Sequence, residues 1–144
     1  MKILVPVDGS KVSMEALKVA ADYAKAKDGA VFILTAIPFI SDIDLELSAS
    51  ERDKILESMK RRGESLLEKA KAEMKSYGVA KVNTVLATST SAAQEIVTFA
   101  EKEKIDLIVI GSKGRGATAR FFLGSVAAKV VRHSPCSVYV VKTA

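Results

Sequence analysis

Apolar runs of strand length alternate with longer segments of helical periodicity along the whole chain. The first run, Ile3 to Val7, precedes a helical pattern that Ser10 is placed to cap and that Gly29 is placed to stop, with Lys25 and Lys27 in its last turn. A second strand follows over Val31 to Ile37, then a loop from Pro38 to Leu47. Ser48-x-x-Glu51 has the form of a capping box and opens a long helix that ends near Tyr77-Gly78. Its apolar positions Ile55, Met59, Leu66, Leu67, Ala70, Met74 and Tyr77 keep near-helical spacing, while its other faces are dense in Lys, Arg and Glu and read as solvated surface. A more polar strand spans about Lys81 to Ala87, and Ser91-x-x-Gln94 caps the next helix, which ends near Lys104. The run Asp106 to Ile110 is apolar on both faces and reads as a central strand. A last helix from about Ser125 to His133 is stopped by Pro135, and a fifth strand covers Ser137 to Val141.

This is β-α-β-α-β-α-β-α-β, the pattern of a doubly wound α/β fold with a five-stranded parallel sheet and helices on both faces. Right-handed crossovers leave the orders 2-1-3-4-5 and 3-2-1-4-5, and the polar third strand, suited to an edge, favours the second. In that order the first and fourth strands are neighbours where the winding reverses, and ligands in such sheets sit at the carboxyl ends of the strands at that point.

At 144 residues, 49% apolar and 27% charged, the chain has the composition of one soluble globular domain covering residues 1–144. No apolar stretch is long enough for a membrane span, and Met1 to Val7 reads as a strand rather than a leader, so a cytoplasmic location is expected. The single cysteine, Cys136, has no internal disulfide partner and fits a reducing compartment. The formal net charge of +5 is spread among interleaved glutamates, and Trp is absent. A clustered basic stripe with interleaved aromatics is therefore missing, and nucleic acid is not expected as a partner.

Candidate chemistry gathers at the two strand ends that the winding brings together. After the fourth strand come Gly111-Ser112-Lys113-Gly114, nine further residues, and Gly124-Ser125 at the start of a helix. A strand that ends in a glycine-rich basic loop and reopens as a helix directs backbone N–H groups at an anion. Lys113, Arg115 and Arg120 add positive charge, and Ser125 is placed either to bond a phosphate or to cap the helix. After the first strand comes Asp8-Gly9-Ser10, whose carboxylate serves either a ribose or a metal, or only the turn. Pro6, Val7, Ala36 and Ile37 are available to line an apolar slot for a base. Walker A and dinucleotide glycine patterns are absent. His133 has no triad around it, Cys136 reads as a packed thiol, and Asp42, Asp44 and Glu46 read as a solvated acidic loop.

With these residues in view, the chain resembles the universal stress proteins over nearly its whole length. Ile3-Leu4-Val5-Pro6-Val7-Asp8-Gly9-Ser10 is similar to that family's opening strand and turn, and the ending Arg132 to Val141 is similar to its terminal helix and strand. Gly111-x2-Gly114-x9-Gly124-Ser125 matches the family's G-x2-G-x9-G-(S/T) motif in full spacing. The resemblance implies the order 3-2-1-4-5 in a Rossmann-like, adenine nucleotide alpha hydrolase-like sheet, and a homodimer paired through Ser137 to Val141. Val138, Val140 and Val141 agree with an apolar edge. It also implies binding of ATP, or of AMP or ADP, with Mg²⁺ held through the phosphates. By position, Pro6, Val7 and Asp8 would line the adenosine site, with Asp8 on the ribose. Ala36 would meet adenine through its backbone, Gly111 would lie near the ribose, and Gly114, Arg115, Gly124, Ser125 and Val126 would hold the phosphates. One departure is the turn Thr88-Ser89-Thr90-Ser91-Ala92, where many members have Gly-x-Pro.

With Asp8 as the one acid expected in the crevice and assigned to the ribose, no residue is placed as a general base for water. The expected function is an ATP-binding stress-response or regulatory protein that works as a dimeric switch with slow or no hydrolysis. A slow ATPase, an autophosphorylating protein and a nucleotide-free scaffold dimer are the alternatives.

Overall fold

The computed structural model describes residues 1–39, 46–113 and 123–142. Strands and helices alternate as β1 (Lys2–Pro6), α1 (Lys11–Lys27), β2 (Ala30–Pro38), α2 (Ala49–Ser76), β3 (Val82–Ser89), α3 (Ala92–Lys102), β4 (Leu107–Gly111), α4 (Ser125–His133) and β5 (Ser137–Val141). The sheet is parallel and ordered β3-β2-β1-β4-β5, so the polar strand is indeed at an edge. Central β1 aligns Ile3 with Val31 of β2 on one side and with Leu107 of β4 on the other. Every residue of β4 is buried, as an apolar run covered on both faces requires.

The serines that the sequence marks as helix starts do cap them. Ser10 Oγ accepts the Ser13 N–H at 3.3 Å, and Ser91 Oγ accepts the Gln94 N–H at 3.2 Å. Ser48 Oγ accepts the Glu51 N–H and bonds Glu51 Oε1, each at 3.1 Å, which ties down the first turn of α2. The end of α1 differs from expectation. Asp28, not Gly29, takes the left-handed conformation, at φ 48°. Gly29 has a different duty: a Cβ there would lie 2.9 Å from the Met1 carbonyl oxygen, which accepts the Ala30 N–H.

Alternation along the strands sorts the core into two layers. Ile3, Val5, Val31 and Ile33 face α1 and α2, where Leu17, Ala20, Leu67 and Met74 meet them. Leu4, Leu34, Ile108 and Ile110 face α3 and α4, where Ile96, Ala100, Ala127 and Val130 meet them. In β5 the same alternation corrects the expected apolar edge: Val141 turns into the first layer and is buried, whereas Val138 and Val140 pack against the second and Tyr139 is exposed. The Tyr139 ring lies edge-on to Tyr23 of α1, with centroids 5.9 Å apart.

Helix α2 buries residues only in its second half, at Gly63, Leu67, Ala70 and Met74. Gly63 is the closest approach. A Cβ there would fall 2.6 Å from Leu86 Cδ1 and 3.3 Å from Ile37 Cγ2, so the missing side chain lets the helix lie directly on β2 and β3. Gly63→Val should lower stability by about 1–3 kcal/mol through overpacking, despite the better helix propensity of valine. Urea unfolding of the two proteins checks this, and an unchanged or higher midpoint would show that the contact is not tight.

Candidate functional site

β2, β1 and β4 are consecutive in the sheet, so their carboxyl ends lie side by side where the winding reverses. Val7, buried just past β1, donates its N–H to the Leu34 carbonyl at 2.8 Å. Its own carbonyl accepts the buried Thr35 hydroxyl at 2.8 Å. Pro6 is half-buried beside it. Two side-by-side strand ends are thereby locked together below the point where the chain turns into α1.

Asp8 and Gly9 make that turn, Gly9 with φ 85°. Asp8 Oδ1 accepts the Ser10 N–H at 2.9 Å, and the Asp8 N–H is donated to Ser13 Oγ at 3.2 Å. Ser13 Oγ in turn donates to the Ser10 carbonyl at 3.0 Å. The backbone under Asp8 is fixed from both sides, while its carboxylate stands exposed at the rim with one oxygen serving the turn. The turn role and a ligand role are compatible, because a carboxylate has acceptor capacity left after one hydrogen bond.

At the end of β4, Gly111 is buried against α1: a Cβ would sit 3.0 Å from Val12 Cγ1 and 3.3 Å from the Ser13 nitrogen. A side chain at Gly111 would press on the first turn of α1, so the glycine serves helix-on-sheet packing whether or not a ligand is present. Ser112 follows as a junction. Its N–H is donated to the Val141 carbonyl at 2.8 Å, and its carbonyl accepts the Gly124 N–H at 2.7 Å. That second bond brings the start of α4 to the end of β4.

Gly124 is buried and is itself the N-cap, with no side-chain cap bond. Ser125 is therefore the first helical residue, exposed, and its hydroxyl does not cap. With the Gly124 N–H committed to Ser112, the outward donors at this terminus are the first-turn N–H groups from Ser125 and Val126 onward, which a helix leaves without internal partners. Gly114, Arg115 and Arg120 lie outside the described residues, as do Asp42 and Asp44.

A cleft of about 700 Å³ opens beside this edge. Asp8 and Ala36, both named from the sequence, line it, as does Ile37. Its opposite wall is α2, through Ser58, Met59, Arg61, Arg62, Gly63 and Leu66, and Thr35 contributes from β2. Sequence reasoning missed Thr35, Arg62 and Gly63 as members of this site. The signal available was an odd one: a glycine set in the middle of a long charged helix, right after two arginines. The Thr88 to Ala92 turn adjoins the end of β2, where the Phe39 N–H is donated to the Ser89 carbonyl at 3.2 Å. Ser89 Oγ accepts the Ser91 N–H at 3.1 Å and closes that turn without glycine or proline.

Among the described residues no group of three His, Cys, Asp or Glu is placed to hold a metal ion. No helix among them is long and apolar enough to cross a membrane.

Comparison with known proteins agrees with this architecture. The profile of the universal stress protein family matches residues 1–142. The chain is similar to Universal stress protein MJ0531 of Methanocaldococcus jannaschii, 40% identical over 141 residues that cover 98% of this chain and 81% of that protein. Among solved structures it is similar to MJ0577, with a TM-score of 0.83 at 28% identity, covering 99% of this chain and 96% of that one. It is also similar to a universal stress protein solved in complex with cAMP, with a TM-score of 0.74 at 26% identity, covering 100% of this chain and 98% of that one. A doubly wound sheet in the order 3-2-1-4-5, a profile match over nearly the entire length and this degree of identity place the chain in the universal stress protein family.

Proposed function

We propose that this protein binds an adenine nucleotide, ATP in the first instance, across the carboxyl edge of β1, β2 and β4, and that it acts as a regulatory switch with slow or no hydrolysis. The observation that carries this reading is the hydrogen bond from the Gly124 N–H to the Ser112 carbonyl at 2.7 Å. It sets the first turn of α4, with its outward N–H groups and positive dipole end, at the carboxyl end of β4, the strand next to the one that leads into Asp8. The relative solved with cAMP supports the same ligand class.

In this reading Asp8 accepts a ribose hydroxyl, Pro6 and Val7 form the apolar floor, and the Ala36 backbone meets adenine. Gly111 lies near the ribose. Ser125 and Val126 hold phosphate oxygens through their N–H groups, with the buried Gly124 allowing close approach and Gly114 and Arg115 completing the loop. Mg²⁺ enters with the phosphates and neutralises part of their charge. Asp8 is the one acid among the described residues lining the cleft, and one of its oxygens is held by the turn. It is poorly placed to serve as a general base as well, so turnover is slow.

The switch reading includes a homodimer through Ser137 to Val141. Strand β5 is a sheet edge with unpaired backbone groups, and exposed Tyr139 and Val131 lie on or next to it.

Two outcomes are expected. Calorimetry should give one ATP per chain in the presence of Mg²⁺, with Asp8→Ala weakening binding about tenfold through the lost charge-assisted hydrogen bond. No binding, or unchanged affinity in the variant, would favour a nucleotide-free scaffold, whereas steady phosphate release abolished by Asp8→Ala would establish an ATPase. Light scattering should give a dimer mass for the wild type and a monomer mass for Tyr139→Lys, since a charge at the edge opposes strand pairing. A monomeric wild type, or a variant that stays dimeric, would move the interface elsewhere.

A further inference from the structure

The end of β2 carries a backbone donor that the sheet does not use. Along this strand the even-numbered residues turn their N–H and carbonyl groups toward β1, and the odd-numbered ones turn theirs toward β3. The Ala30 N–H meets the Met1 carbonyl and the Leu34 carbonyl meets the Val7 N–H, both on the β1 side. The Val31 N–H meets the Lys81 carbonyl, and just past the strand the Phe39 N–H meets that of Ser89, both on the β3 side. Ala36 therefore faces the β1 side. Pairing of β1 with β2 ends at Pro6 and Leu34, while β2 stays paired with β3 as far as Pro38 and Ser89. The next rung toward β1 would run from the Ala36 N–H to the Val7 carbonyl. The buried Thr35 hydroxyl bonds that carbonyl instead, at 2.8 Å. Among the described residues the Ala36 N–H meets no acceptor. Pro38, the following residue on that side, has no N–H, so Ala36 supplies the one donor of β2 beyond the pairing with β1.

We infer that Thr35 is a positioning residue for the base: by holding the Val7 carbonyl, its hydroxyl keeps the Ala36 N–H free to donate to a ring nitrogen of adenine. The inference rests on the nucleotide reading above and assigns the side chain that prepares the strand for the base. Adenine carries its N6 amine between two ring acceptors, so the N–H and carbonyl of a single strand residue can serve one acceptor and the amine together. Thr35 acts through Val7 and Ala36, not by meeting the base. Its two branches have separate duties, because its methyl faces α2, where a Cβ on Gly63 would lie 3.6 Å from Thr35 Cγ2. Valine at this position keeps the shape and loses the hydroxyl, whereas serine keeps the hydroxyl and loses the methyl. In Thr35→Val the buried Val7 carbonyl is left without a donor, and the Ala36 N–H, next along the parallel ladder, closes onto it. The base then loses its donor.

Two readouts on the full chain test this. Hydrogen exchange without nucleotide should find the Ala36 amide about tenfold slower in Thr35→Val than in the wild type, because a bonded strand amide exchanges only when the strand opens. A merely structural loss would speed that amide instead. Thr35→Ser should keep the wild-type rate. Calorimetry with ATP, 1-deaza-ATP and 7-deaza-ATP reads the same donor from the ligand side. One of the two deaza analogues should bind the wild type about fivefold more weakly than ATP, the worth of one neutral hydrogen bond. That penalty should vanish in Thr35→Val and persist in Thr35→Ser. An Ala36 amide that is no slower in Thr35→Val, a wild type without a deaza penalty, or a penalty that survives in Thr35→Val would overturn the inference, while ATP binding left the nucleotide reading standing. Failure of ATP to bind the wild type would overturn the two together.

Discussion

The pairing of β1 with β4 is the constraint on which the rest depends. Both strands are apolar on both faces, and each must be covered above and below. Placing β1 between β2 and β4 sends the first two crossover helices to one face and the last two to the other. The chain leaves β1 and β4 toward opposite faces, so their carboxyl ends mark the point where the winding reverses, where ligands of such sheets sit. Apolar patterning thus creates the site's location before any polar residue is considered.

That much was legible in the sequence. Helix starts at Ser10, Ser48 and Ser91 could be read because a capping serine bonds only two or three residues ahead. The limits of α4 and β5 were set locally by Gly124 and Pro135. The sheet order followed from one contrast, the exposed Asn83, Thr84 and Thr88 of β3 against the wholly buried β4. Asp8 and Ala36 lie at one cleft because Asp8 follows β1 and Ala36 lies near the carboxyl end of β2, strands that the order makes neighbours.

What stayed illegible depends on distances between elements far apart in the chain. Gly63 reads as a weak point in a helix until Leu86 is found 2.6 Å from where its Cβ would be. Gly29 looks like a helix stop, yet the Met1 carbonyl claims its space and Asp28 takes the left-handed turn. Arg62 belongs to a charge-dense face that reads as solvated surface, and only the seating of α2 on the sheet turns that face toward Asp8. Val140 and Val141 join opposite core layers through the parity of one strand, which matching apolar residues in sequence do not reveal.

The main chain of Ser112 holds two elements at once, the final residue of β5 through its N–H and the cap of α4 through its carbonyl. Neither bond can open freely while the other is held, because both belong to a single buried residue with little room to tilt. The amides of Ser112 and Gly124 therefore share one local opening event and exchange with solvent as a unit. A ligand that quiets the first turn of α4 would slow both, and the edge strand would be stiffened from within the sheet, without any contact of its own.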